Sequence, residues 1–147
     1  MADAEALLGT WKMVSWTRKN VASGEITDAM GPDPIGYIAY HADGRMMAVV
    51  IRRDRPKVNG RALSVPEKAE LFDTMLAYSA VYTLEGDVVV HHVDAAWNPS
   101  WQIDLIRPFT LAGDTLEISN APGRDPVTGE EVIYRIEFRK MRSTLPD

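Results

Sequence analysis

Three kinds of side chain in this sequence could do chemistry inside an apolar protein: one of its three histidines, one of its arginines and a group of tyrosines. An imidazole with a reference pKa of about 6.5 gives or takes a proton near neutrality, so His91 is a candidate general acid or base. Its structural alternative is a core histidine held by hydrogen bonds to neighbouring tyrosines. Arg107 sits between Leu105 and Phe109 in an apolar stretch, where an unpaired charge would cost several kcal/mol, about what burying an ion costs. It therefore needs a partner. The partner is either a ring, carbonyl or carboxylate of the protein itself, or a carboxylate or enolate of a ligand, whose developing oxyanion the guanidinium could also stabilise. Tyr78, Tyr82 and Tyr134 supply hydroxyls that could orient a bound molecule. Trp97 and Trp101 flank Asn98-Pro99-Ser100 and either cap one end of the fold or offer a stacking platform.

Other chemistries have no foothold. His91 and His92 are adjacent and point to opposite faces of a strand, so they cannot hold one metal together, and only His41 remains besides. No Gly-rich phosphate loop, zincin helix, nucleophile elbow or kinase motif occurs, and neither a metal nor a cofactor is expected. With no cysteine in the chain, a disulfide framework, a thiolate zinc site and a cysteine nucleophile are excluded.

The elements that must position these groups are short strands. β-Branched and aromatic residues over 11–18, the apolar runs 36–40 and 46–51 around Asp43-Gly44, the pair 78–84 and 88–97 around Gly86, the segments 101–111 and 115–119, and 131–140 read as about eight strands. A short helical stretch precedes Gly9, Gly31-Pro32-Asp33-Pro34 and residues 122–129 are loops, and the one longer helix signal covers Ser64 to Leu76. That helix opens with Ser64 and Glu67 at capping-box spacing and has an apolar face of Ala69, Leu71, Phe72, Met75 and Leu76.

Alternation then assigns faces, because polar residues at one parity send the other parity inward. By this rule Val89, His91, Val93, Ala95 and Trp97 face in, with His92 and Asp94 out. Ile103, Leu105, Arg107, Phe109 and Leu111 face in on the next strand; Tyr78, Ala80, Tyr82 and Leu84 on the one before; Val132, Tyr134, Ile136 and Phe138 on the last. Both faces of 36–40 and 46–51 are apolar, so the choice between Tyr37 and Tyr40 stays open. Tyr40 and Met47 join Tyr78, Tyr82, Trp97, Phe109 and Tyr134 as candidate ligand-binding residues, with His91 and Arg107 as the candidate catalytic pair.

Strands in series without alternating helices exclude a parallel α/β fold, and about eight of them suggest a closed antiparallel barrel around one small ligand. At 147 residues the chain makes one domain over 1–147. Its formal charge of −5 repels nucleic acid and anionic membranes. Partners are expected to be a small apolar or aromatic molecule, or a second copy of the chain. The basic run Arg52-Arg53-Asp54-Arg55-Pro56-Lys57 reads as a solvated loop or as an anion-collecting rim. An acidic start and the lack of any long apolar run point to a soluble protein of the cytoplasm.

Leu8-Gly9-Thr10-Trp11 resembles the Gly-x-Trp opening of lipocalin-type barrels. Together with Pro34-Ile35-Gly36-Tyr37, Asp43-Gly44-Arg45-Met46, Ala77-Tyr78-Ser79, His91-His92-Val93 and Asn98-Pro99-Ser100-Trp101, it is similar to the bacterial and fungal lipocalin-like domain family over nearly the whole chain. The resemblance implies an all-β, eight-stranded barrel with one short helix between the third and fourth strands. Related barrels include carriers and cofactor-free isomerases, cyclases and decarboxylases, so fold alone does not choose among them. Three functions follow: a cofactor-free binder of a small apolar or aromatic molecule with an anionic or carbonyl group; a lyase or isomerase using His91 and Arg107; or an interaction module whose barrel is filled. A cavity under about 100 Å³ would mark the last, since ligand pockets run to about 300–1,000 Å³.

Overall fold

Residues 4–120, 123–124 and 129–146 are described by a computed structural model. In chain order the elements are helix α1 (Ala4–Leu7), strands β1 (Gly9–Asn20), β2 (Ile26–Asp28), β3 (Ile35–Tyr40) and β4 (Arg45–Ile51), helix α2 (Val65–Asp73), then β5 (Met75–Glu85), β6 (Val88–Ala96), a 3₁₀ turn at Pro99–Trp101, β7 (Asp104–Ala112), β8 (Thr115–Ser119), β9 (Gly123–Arg124) and β10 (Glu131–Lys140). Consecutive strands pair antiparallel from β3 to β8, β8 pairs with β10, and β1 joins β3 on one side and β10 on the other. This closes an eight-stranded barrel, with β2 and β9 as short additions along β1 and β10. Closure leaves none of the eight strands with a free edge. Two of the hairpins turn through Gly86 and Gly113 at φ 60° and 59°, the left-handed region that a side chain resists.

The alternation holds along most of the wall. Tyr78, Ala80, Val89, His91, Leu105, Phe109, Val132 and Phe138 are all buried. On the two strands that were apolar on both faces, Ile38, Tyr40, Met46, Ala48 and Val50 are inside, so Met47 lies on the outer surface, half exposed. For Met47, offered as a ligand-binding residue on a strand whose inward face the sequence left open, the structure decides against the bore: Met46, opposite Tyr40 and Ala80, takes the inward place and leaves its neighbour the other face.

One end of the barrel is plugged. Leu7, fully buried, fills it, and Trp11 donates from Nε1 to the Leu7 carbonyl at 2.9 Å. Lys140 lies over the Trp11 ring at 4.7 Å and donates to the Leu8 carbonyl.

Two β-bulges break the alternation. On β1, Met13 faces Phe138 while Ser15 faces Glu137, so Val14 is the extra residue and Trp16, opposite Ile136, swings inward. On β6, Ala80 faces Val93 while Ser79 faces Ala95, so Asp94 is the extra residue. Beyond it Ala96, opposite Tyr78, packs on the core, while Ala95 is exposed and Trp97 lies outside the bore. The inward assignment of Ala95 and Trp97 is therefore overturned by one inserted residue. Ile103 is also corrected: it precedes β7 and is 56% exposed.

The helix stops earlier than its apolar spacing suggested. It spans Val65–Asp73 with the capping box in place, Glu67 receiving the Ser64 N–H and Ser64 Oγ receiving the Glu67 N–H, and none of its residues is buried. Met75 and Leu76 belong to β5 instead, drawn into the sheet opposite Ile51 and Val50. Phe72 of this helix meets Trp97, ring centroids 6.0 Å apart. The basic run is spent locally, Arg52 on Asp54, Arg53 on Asp33, Arg55 on the Leu71 carbonyl and Arg61 on Glu67. Of the loop expected over 122–129, all but 123–124 and 129 lies outside the described residues. Among the described residues no helix is long and apolar enough to cross a membrane.

Candidate functional site

The neighbouring pair β6 and β7 sets the centre of the site. Val89 lies opposite Arg107 and His91 opposite Leu105, so His91 and Arg107 are diagonal neighbours on the inner face. Inside the bore His91 meets two hydroxyls, one from β3 and one from the neighbouring β5: Tyr40 Oη stands 2.7 Å from Nε2 and Tyr78 Oη 2.8 Å from Nδ1. Both ring nitrogens are taken. Burial holds the imidazole neutral, its pKa lowered to about 3, and the nearby Arg107 charge and His92 push in the same direction. Burial also raises Tyr78 to about 12, with Arg107 pulling weakly back, and Tyr40 well above the ordinary phenol range. All three groups are neutral at physiological pH.

Beside this chain of hydrogen bonds lie two adjoining chambers. The inner one holds about 40 Å³ and is walled by apolar residues such as Met13, Val50 and Leu76, with Tyr37, Tyr78, His91 and Arg107 among its polar residues. The outer one holds about 170 Å³ and adds Ser119, Asn120 and Tyr134. Trp16, Trp101, Arg107, Ile118 and Ile136 line both, so the chambers meet at the guanidinium. Trp101 stacks on Tyr78 at 6.1 Å, and Trp16 meets Tyr134 edge-on at 6.2 Å.

Two donors here lack partners within the protein. Among the described residues nothing forms a hydrogen bond or ion pair with Arg107, and the buried Nε1–H of Trp16 has no acceptor. No Asp or Glu lines either chamber. Asn120 spends its oxygen on the Tyr134 N–H at 2.6 Å. Among the described residues there is also no cluster of three acidic or histidine side chains that could hold a metal ion.

The residues singled out from sequence separate accordingly. His91, Arg107, Tyr78 and Tyr134 converge on the chambers. Tyr40 stands behind His91, and Phe109 is part of the surrounding core. Tyr82 packs edge-on against Tyr40 at 5.0 Å and donates to the His41 carbonyl. Trp97 and Met47 line neither chamber; Trp97 sits between Phe72 and Trp101, its N–H given to the Phe72 carbonyl at 3.1 Å. Sequence reasoning did not single out Trp16 or Asn120. The only signal that could have found Trp16 is a second tryptophan five residues after Trp11, an odd spacing that reaches the same face only through a bulge.

A family model described as a lipocalin-like domain matches residues 8–139. A comparison with curated proteins finds none that matches the chain.

Proposed function

We propose that this chain, which belongs to the lipocalin-like domain family, binds one small apolar or aromatic molecule in the bore of its barrel, without a cofactor, with an anionic or carbonyl group turned toward Arg107. The observation that carries this reading is an unpartnered guanidinium set in an apolar wall where two chambers meet. A charge in such a place is costly unless something answers it, and among the described residues none forms a hydrogen bond or ion pair with it. The chambers are small beside the roughly 300 Å³ at which pockets for drug-sized ligands begin, so the ligand is of the order of a single ring with its substituent. The inner chamber alone would suit a filled barrel; the outer one, at about 170 Å³, weighs against that alternative. Catalysis with His91 as acid or base draws little support, since both its nitrogens are occupied by tyrosines and it stays neutral.

Carbon–proton NMR of isoleucine and methionine methyls tests the reading. On titration with small aromatic acids and ketones, Ile118 and Ile136 in the chamber walls are expected to shift while Met47 on the outer face does not. Shifts confined to the outer face would overturn it.

A further inference from the structure

The Tyr40–His91–Tyr78 chain has a direction. A neutral imidazole carries one N–H, so it donates to one tyrosine and accepts from the other. Tyr40 is fully buried, and among the described residues its hydroxyl has the His91 ring as its one hydrogen-bond partner. Were His91 to donate from Nε2, the Tyr40 hydrogen would be stranded in a dry core, the costly case for a buried donor. Tyr40 therefore donates to Nε2, the proton of His91 sits on Nδ1, and Nδ1–H donates to Tyr78 Oη. That leaves the hydroxyl hydrogen of Tyr78 as the free end, and Tyr78 lines the inner chamber beside Arg107. The donors left without an acceptor around the chambers are thus the guanidinium, the Trp16 Nε1–H and the Tyr78 O–H, and among the described residues no carboxylate lines either chamber to answer them.

We infer that this convergence of Trp16, Tyr78 and Arg107 is a carboxylate site, reading the anionic group of a small aromatic acid in preference to a neutral carbonyl. The inference rests on the small-ligand reading above and narrows it. A carboxylate is acceptor-only and offers two oxygens with about four lone-pair positions, enough for a guanidinium fork, an indole N–H and a phenol at once. A ketone brings a single oxygen and no charge. An amidine brings only further donors and a positive charge beside Arg107.

Three nearly isosteric probes separate these cases: benzoate, acetophenone and benzamidine, titrated against the intact protein at neutral pH while the tryptophan indole N–H resonances are followed. Benzoate is expected to bind at least about tenfold more tightly than acetophenone, the order of one charge-assisted hydrogen bond, and benzamidine more weakly than either. The Trp16 indole signal, assigned by its loss in Trp16→Phe, should move downfield with benzoate. Arg107→Gln should erase the preference for benzoate while acetophenone still binds. Trp16→Phe, which keeps the ring, should weaken benzoate about threefold to tenfold. Equal affinity for benzoate and acetophenone with an unmoved Trp16 signal overturns the carboxylate site and leaves the small-ligand reading standing. Tighter binding of benzamidine overturns the carboxylate site as well. Binding of none of the three overturns both.

Discussion

A histidine held neutral by burial carries a cost that pH exposes. His91 in the folded barrel titrates at about 3, whereas in the unfolded chain it takes the ordinary value near 6.5. Between these values the unfolded state binds a proton that the native state refuses, so stability rises with pH across the window and is lost as pH falls from 6.5 toward 3. The loss approaches a tenfold change in the folding constant per pH unit, or roughly 2 kcal/mol between pH 6.5 and 5. Urea unfolding at those two pH values is expected to show it, and His91→Gln should flatten that part of the profile. A wild-type stability level across the window would mean that the folded protein accepts the proton freely. His91, Arg107 and Tyr78 were legible in the sequence because an aspartate or glutamine nearby fixed the parity of each strand or of its partner. Tyr40 and Met47 were not distinguishable in this way, since Gly36-Tyr37-Ile38-Ala39-Tyr40 and Met46-Met47-Ala48-Val49 offer no polar residue to mark the outside.

At the level of elements, what the sequence hid is the bulge. Strict alternation from Trp11 sends Met13 inward and Trp16 outward, and only the extra residue Val14 reverses it. Asp94 does the same on β6, held outside by Arg45 at 2.8 Å, and Arg45 also reaches Ser79 Oγ at 2.7 Å. No local residue pattern announces either insertion, because a bulge is decided by what the partner strand leaves unpaired. Helix α2 shows the opposite balance: its start was written in Ser64 and Glu67, while its end was set by the pull of Met75 and Leu76 into β5. With no buried residue, this helix depends on its cap more than on packing. Ser64→Ala is expected to cost about 1 kcal/mol locally, read as faster hydrogen exchange at the Lys68 and Thr74 amides, which bond to Ser64 O and Glu70 O. Global unfolding should move far less; an equal fall in both would show that the helix unfolds only with the barrel.

The whole molecule is a ring whose closing seam joins its ends in sequence: Trp11 pairs with Lys140 and Asn20 with Val132. Eight strands and their antiparallel order were readable from the turn residues and the spacing of apolar runs, but a closed ring and an open sandwich share that local signal. What distinguishes them is long-range, the β1–β10 pairing and the plug at its foot. Leu7 has no exposed surface, and its carbonyl receives the Trp11 indole N–H, so α1 fastens the first strand to the core just where the last strand arrives. Leu7→Ala removes a fully buried side chain beside that seam and is expected to lower stability by about 2–5 kcal/mol, as in other buried leucines. At about 2–4 °C per kcal/mol for a domain of this size, the thermal midpoint should fall by roughly 4–20 °C. Because Ile118 and Ile136 lie level with Trp16, further along the β1–β10 seam than Trp11 at the plug, the methyl shifts caused by ligand should survive the change at temperatures where the variant stays folded. A variant that keeps its stability but loses those shifts would place the ligand at the plugged end, beside Trp11 rather than beside Trp16.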